Sequence, residues 1–183
     1  MISTASPTTT STQSQFLIIG YGRELQGGDD IGPEVAMAVT DWRLSSVKSL
    51  AVHQLTPRLA VDIAKADYVI FVGACGESCA PNVQIEPIVI RKPSSPHYTA
   101  PILALSCEPS TLLTLTHALY GRHPQAWLLK IPTERFDKGK SLSDTAHQGI
   151  DRAMRAIEQF VTTYQRPQCI SQMSTPKGAA AKL

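Results

Sequence analysis

Phe16-Leu17-Ile18-Ile19-Gly20-Tyr21-Gly22-Arg23-Glu24-Leu25-Gln26-Gly27-Gly28-Asp29-Asp30-Ile31-Gly32-Pro33-Glu34-Val35-Ala36 is the stretch on which the fold turns. Its first four residues form an unbroken apolar run, as a strand buried on both faces requires. Gly20-Tyr21-Gly22 ends that run. Ile31, Val35, Ala38, Val39 and Trp42 then recur at helical spacing. Strand, glycine turn, acid pair, helix: this order sets two carboxylates at the C-terminal edge of a sheet, where open α/β folds keep their ligand sites.

Working outward, strands keep alternating with helices. Leu50–Leu55 reads as a second strand, and Thr56-Pro57 as an N-cap with proline at the first helical position. Tyr68–Val72 is the most apolar segment and the expected central strand. Val83–Arg91 alternates apolar and polar residues around Pro87, which suits an edge strand or a bulge. Pro109 opens a helix that Gly121 stops, and Ala126–Ile131 is a further strand. Ser141-Leu142-Ser143-Asp144 resembles a capping box, ahead of a helix with Ala146, Ile150, Ala153, Ile157, Val161 and Tyr164 on one face. The expectation is a three-layer α/β/α sandwich around a mixed, mostly parallel twisted sheet of about five strands.

The chain has 183 residues, enough for one domain with a substantial core. Residues 1–15 are rich in Ser and Thr and are expected to form a disordered tail. The domain is expected over 16–165, with a second flexible tail over 166–183. A net charge of +2 with dispersed basic residues gives no reason to expect nucleic acid. No apolar run is long enough to cross a bilayer. With no secretory pattern in the first residues, a cytoplasmic location is expected. Cys75, Cys79, Cys107 and Cys169 lack the paired spacing of a zinc ribbon and read as free thiols in a reducing compartment.

The acid turn admits three readings. Asp30, directly before Ile31, suits a helix cap worth about 1 kcal/mol. Asp29 is not needed for that, and a second carboxylate beside the first is costly without a cation or proton. Dinucleotide binding fails, because the third glycine of the fingerprint would fall on Leu25 and the acids would repel a pyrophosphate. A metal-facing carboxylate is the third reading, with further ligands drawn from other loops. Ser78, in Gly76-Glu77-Ser78-Cys79-Ala80, lacks the second glycine of a nucleophile elbow.

Gly20 to Gly32 resembles the opening motif of the hydrogenase maturation proteases. These endopeptidases remove a short C-terminal extension from the large subunit of [NiFe] hydrogenases once nickel is installed. The likeness continues through His53-Gln54-Leu55-Thr56-Pro57, Ala66–Val72, Cys107-Glu108-Pro109-Ser110-Thr111-Leu112-Leu113, Ala118-Leu119-Tyr120-Gly121 and Ala126–Phe136. These later segments look like the cyanobacterial-type members that serve the bidirectional hydrogenase. The resemblance implies a [NiFe] hydrogenase large-subunit precursor as partner. It also implies no tightly bound cofactor, the nickel of the precursor being what the protein recognises.

In that family an acid of the opening turn, an Asp ending the central strand and a later His recognise the nickel. Counted from the glycines, the acid is Asp29, which the resemblance makes both metal ligand and the group polarising attack on the peptide bond. Gly20, Gly22, Gly32 and Asp30 would shape the turn. Arg23 stands where Asn is usual, Gly28 replaces the first acid, and Asp30 replaces a glycine. The expected Asp falls on Gly73 and the expected His on Leu105, neither of them a ligand. His97 and Cys107 are the candidate substitutes, with Cys75 and Glu77 also near the affected positions. Two functions follow: a working endopeptidase, or a non-catalytic relative that acts as a hydrogenase-binding or assembly module.

Overall fold

The computed structural model describes residues 13–22, 31–75, 82–90, 107–133 and 144–165. β1 (Phe16–Tyr21) leads to α1 (Ile31–Thr40) and β2 (Val47–Val52). A 3-10 turn (Pro57–Leu59) and the short α2 (Ala60–Ile63) precede β3 (Tyr68–Cys75). β4 (Gln84–Pro87), α3 (Pro109–Tyr120), β5 (Gln125–Pro132) and α4 (Asp144–Tyr164) follow. The five strands form one sheet in the order β2-β1-β3-β5-β4. Its first four strands are parallel, and β4 runs antiparallel to β5 at the edge. This is the mixed, mostly parallel sheet that the strand–helix alternation predicts.

Side-chain alternation along the central strands divides the core in two. Phe16, Ile18, Ile70, Val72, Leu129 and Ile131 pack on one face with α1 and α4. Leu17, Ile19, Val69, Phe71 and Ala126 pack on the other with α2 and α3. Two apolar faces covered by helices make three layers, and each buried Leu or Ile side chain contributes about 1.5–3 kcal/mol. α4 meets the sheet through Ala146, Gly149 and Ala153, then Ile157, Phe160 and Val161. The small residues let its first turns lie close, since a Cβ on Gly149 would come within 2.7 Å of Ile131 Cγ2. α3 ends as its sequence implies: Gly121 takes φ 68°, and its N–H donates to the His117 carbonyl oxygen at 2.9 Å.

Three local expectations change. The second strand is Val47–Val52 rather than Leu50–Leu55. It lies at the sheet edge, where half-exposed residues blur the apolar signal, and Leu55 is buried beyond its end. Thr56 makes no side-chain cap, and Pro57 opens a single 3-10 turn before α2. The Val83–Arg91 strand contracts to Gln84–Pro87, with Pro87 on the edge strand, where its missing N–H costs no ladder bond; the Ile88 N–H still donates to the Ala126 carbonyl oxygen at 2.8 Å. At the other end, the Gln15 N–H donates to Asp67 Oδ2 at 2.9 Å, while the Asp67 and Tyr68 N–H groups donate to the Gln15 carbonyl. Residues 141–143 of the expected capping box, residues 1–12 of the expected 1–15 tail and the whole 166–183 tail lie outside the described residues.

Candidate functional site at the carboxyl edge of the sheet

β1 and β3 lie side by side at the centre of the sheet, and their C-terminal ends define the site. Gly20 pairs with Val72, so Tyr21, one residue on, comes level with Gly73 on the neighbouring strand. Gly73 in turn pairs with Lys130, and Lys130 with Gln84. On the α1 side of this edge, Gly20 and Gly32 are pressed together. A Cβ on Gly20 would overlap the Gly32 carbonyl group and crowd Ala36 Cβ at 2.8 Å. A Cβ on Gly32 would overlap the Tyr21 carbonyl oxygen and lie 2.5 Å from that of Val72. Both glycines are therefore required by close packing of backbone on backbone. α1 starts on top of the ends of β1 and β3, so the end of β1 and the start of α1 meet at this seam.

The opposite side of the same edge carries Tyr21 and Gly73. Tyr21 packs against the α2–α3 half of the core. Its ring lies over Gly73: an ideal Cβ at residue 73 would be 3.0 Å from Tyr21 Cζ and 3.1 Å from its hydroxyl oxygen. The position where the resemblance expects a carboxylate is thus buried beneath a phenol. Lys130, next in the row, turns its ammonium to Glu86 Oε2 at 2.8 Å. Both partners are partly exposed, so the pair adds little to stability.

Cys107 precedes α3 at this edge, its N–H donating to the Leu55 carbonyl oxygen at 2.8 Å. It packs against the α2–α3 half of the core and is a free thiol. Burial raises its pKa above the ordinary cysteine value. That favours the neutral thiol, whereas a metal ligand is a thiolate. Cys75 is disulfide-bonded, against the expectation of four free thiols. It ends β3 at the margin of the core, half-buried. Its carbonyl oxygen accepts from the Thr133 N–H at 2.9 Å, tying the ends of β3 and β5 together.

Asp29, Asp30, Glu77, His97 and Leu105 lie outside the described residues. Of the positions read from sequence, the structure brings Gly20, Gly32 and Gly73 to one edge, with Gly22 directly after β1 and Cys107 ahead of α3. His53, His117, His123 and His147 are exposed. Among the described residues, no three His, Cys, Asp or Glu side chains stand together as a metal site. Tyr21 is the residue that sequence reasoning passes over. Its signal was period-2 alternation: once β1 pairs with β3, the middle residue of Gly20-Tyr21-Gly22 shares a face with Gly73.

No protein-family model matches the sequence, and no curated protein matches it. Solved structures do resemble this chain. The [NiFe] hydrogenase maturation protease HycI from Thermococcus kodakarensis KOD1 superposes with a TM-score of 0.60 at 16% identity, over 83% of this chain and 95% of that one. The hydrogenase maturating endopeptidase HybD from E. coli gives 0.58 at 15% identity, over 81% and 93%. The hydrogenase 2 maturation peptidase from Thaumarchaeota archaeon SCGC_AB-539-E09 gives 0.56 at 17% identity, over 81% and 99%. The chain therefore has the α/β fold seen in structures of hydrogenase maturation proteases, over nearly their whole length.

Proposed function

We propose that this chain is a hydrogenase maturation protease-type protein of the cyanobacterial bidirectional-hydrogenase kind. It acts in the cytoplasm on a [NiFe] hydrogenase large-subunit precursor, removing the C-terminal extension after nickel insertion. Nickel belongs to the substrate in this scheme and is the element recognised. Asp29 supplies the carboxylate ligand and polarises attack on the peptide bond. The observation that carries the reading is the Gly20–Gly32 seam, which brings the end of β1 and the start of α1, the two elements flanking the acid-bearing segment, together at the carboxyl edge of the sheet. The fold shared with HycI and HybD supports it, as do the ordered motif segments from Gly20 to Phe136.

One observation favours a second reading. Gly73 offers no donor atom, and the Tyr21 ring lies over it. With one oxygen ligand in place of a mixed oxygen-and-nitrogen set, nickel would be held weakly. A chain in that state would bind the precursor as an assembly module without cutting it. Processing of purified nickel-loaded precursor, followed by mass spectrometry of the large subunit, separates the two. Cleavage by the unmodified chain, lost in Asp29→Asn, supports the endopeptidase. Stable binding without cleavage, with cleavage gained in Gly73→Asp/Leu105→His, supports the module. Cleavage that survives Asp29→Asn removes the mechanistic assignment.

A further inference from the structure

α3 closes on two exposed imidazoles at the amino edge of the sheet. His117 lies in its last turn and His123 follows the Gly121 cap. Their ring centres are 5.3 Å apart, with the planes at 75°. The backbone builds this closeness. Gly121, at φ 68°, turns the chain out of the helix while its N–H holds the His117 carbonyl. Just beyond His123 the chain is fixed again, where the Gln125 N–H donates to the Asp67 carbonyl at 3.1 Å and Gln125 pairs with Tyr68.

Three further features suit a cation. His123 Nδ1 lies 3.0 Å from the Pro124 carbonyl oxygen. A proton on Nδ1 donated to that carbonyl leaves the lone pair on Nε2, the arrangement of an imidazole ready to bind a metal. The last carbonyls of α3 add the partial negative charge of a helix C-terminus. Arg122, the one cation between the two histidines in sequence, is drawn aside. Its Nη2 lies 3.3 Å from the Ala66 carbonyl oxygen and 3.6 Å from Asp67 Oδ1.

We propose that His117 and His123 form a two-imidazole binding site for a divalent transition-metal ion of the copper, nickel and zinc class. Two imidazoles bonded to one ion at about 2.0–2.1 Å and a roughly tetrahedral angle hold their ring centres about 5 Å apart. The observed separation matches that spacing, and both side chains are exposed and can turn to present one nitrogen each to a shared ion. Water fills the rest of the shell. The site is independent of the carboxyl-edge chemistry and lies at the other end of the strands. Any metal titration of this protein therefore reads the histidine pair as well as Asp29.

Titrating the full-length chain with Cu²⁺, the tightest binder of the series, tests this by calorimetry and electron paramagnetic resonance. One ion is expected per chain at this pair, with nitrogen hyperfine coupling from two imidazoles. His117→Ala and His123→Ala are each expected to weaken it by about a hundredfold, as a chelate reduced to a single contact must. The exposed His147→Ala serves as the control and leaves it unchanged. Binding that survives either of the first two substitutions, or shows no imidazole coupling, overturns the assignment. Thermal melts of all variants check that the fold is intact.

Discussion

Gly20 on β1 and Gly73 on β3 stand a single register step apart at the same sheet edge, yet they face opposite layers and are held to glycine by different neighbours. Gly20 meets backbone: the Gly32 carbonyl occupies the place of its Cβ. Gly73 meets only the tip of the Tyr21 ring, at 3.0–3.3 Å. Backbone seated in a sheet and a helix start cannot give way without moving both elements. A ring tip can swing by a few tenths of an ångström. The first glycine is a condition of the fold. The second is set by a side chain, because the atoms nearest to a Cβ there all belong to the Tyr21 ring.

The largest effect expected from this contrast is at the seam. Gly20→Ala must push α1 off the ends of β1 and β3, and should cost about 3 kcal/mol, the upper range for overpacking. Urea unfolding followed by circular dichroism measures it. Gly32→Ala should cost a similar amount. The double variant should cost less than the two together, because both substitutions open the same contact. A loss under about 1 kcal/mol for Gly20→Ala would mean that the seam is soft, and the distinction between the two glycines would then disappear.

Which parts of this were legible beforehand follows from where the residues sit. β1 and β3 are buried on both faces, and β5 buries Ala126, Leu129 and Ile131, so their apolar runs announce themselves. The α3 stop at Gly121 is equally plain, since a left-handed residue there is a glycine's task. β2 is displaced by three residues because an edge strand has no continuous run to read, and its burial is intermittent. The site was half visible. Gly20 and Gly32 are conspicuous in sequence, but their cause, backbone pressed on backbone, needs the pairing of β1 with β3 and the position of α1. Tyr21 was invisible for the same reason: nothing local says that it covers Gly73. Asp29 came from resemblance, since an acid before a helix is also what a simple cap looks like.

A smaller effect sharpens the comparison from the Gly73 side. Gly73→Asp introduces a carboxylate under the Tyr21 ring in a buried row, and should destabilise by about 1–2 kcal/mol. In a Tyr21→Val background the ring is gone, and the same substitution should cost about 1 kcal/mol less. A double-mutant cycle in urea reads this coupling directly. If the two substitutions were simply additive, the phenol would not be what fills the position. The cycle also bears on function, because a strong coupling makes Tyr21→Val a useful added arm when Gly73→Asp/Leu105→His is assayed for cleavage.

The smallest effect is a change of sign. An alanine in a strand interior is favoured over glycine by about 0.5–1 kcal/mol, because glycine loses more backbone freedom on folding. In the natural chain, Gly73→Ala must also shift Tyr21 by a few tenths of an ångström, and the two terms should nearly cancel, leaving a change within about 0.5 kcal/mol of zero. With Tyr21→Val in place only the favourable term survives, so Gly73→Ala should stabilise by about 0.5–1 kcal/mol. No comparable rescue is available at Gly20, where the obstacle is the Gly32 carbonyl and Ala36 Cβ rather than a removable ring. A Gly73→Ala change that is equally destabilising in both backgrounds would put backbone, not Tyr21, in the way, and would make Gly73 a second Gly20.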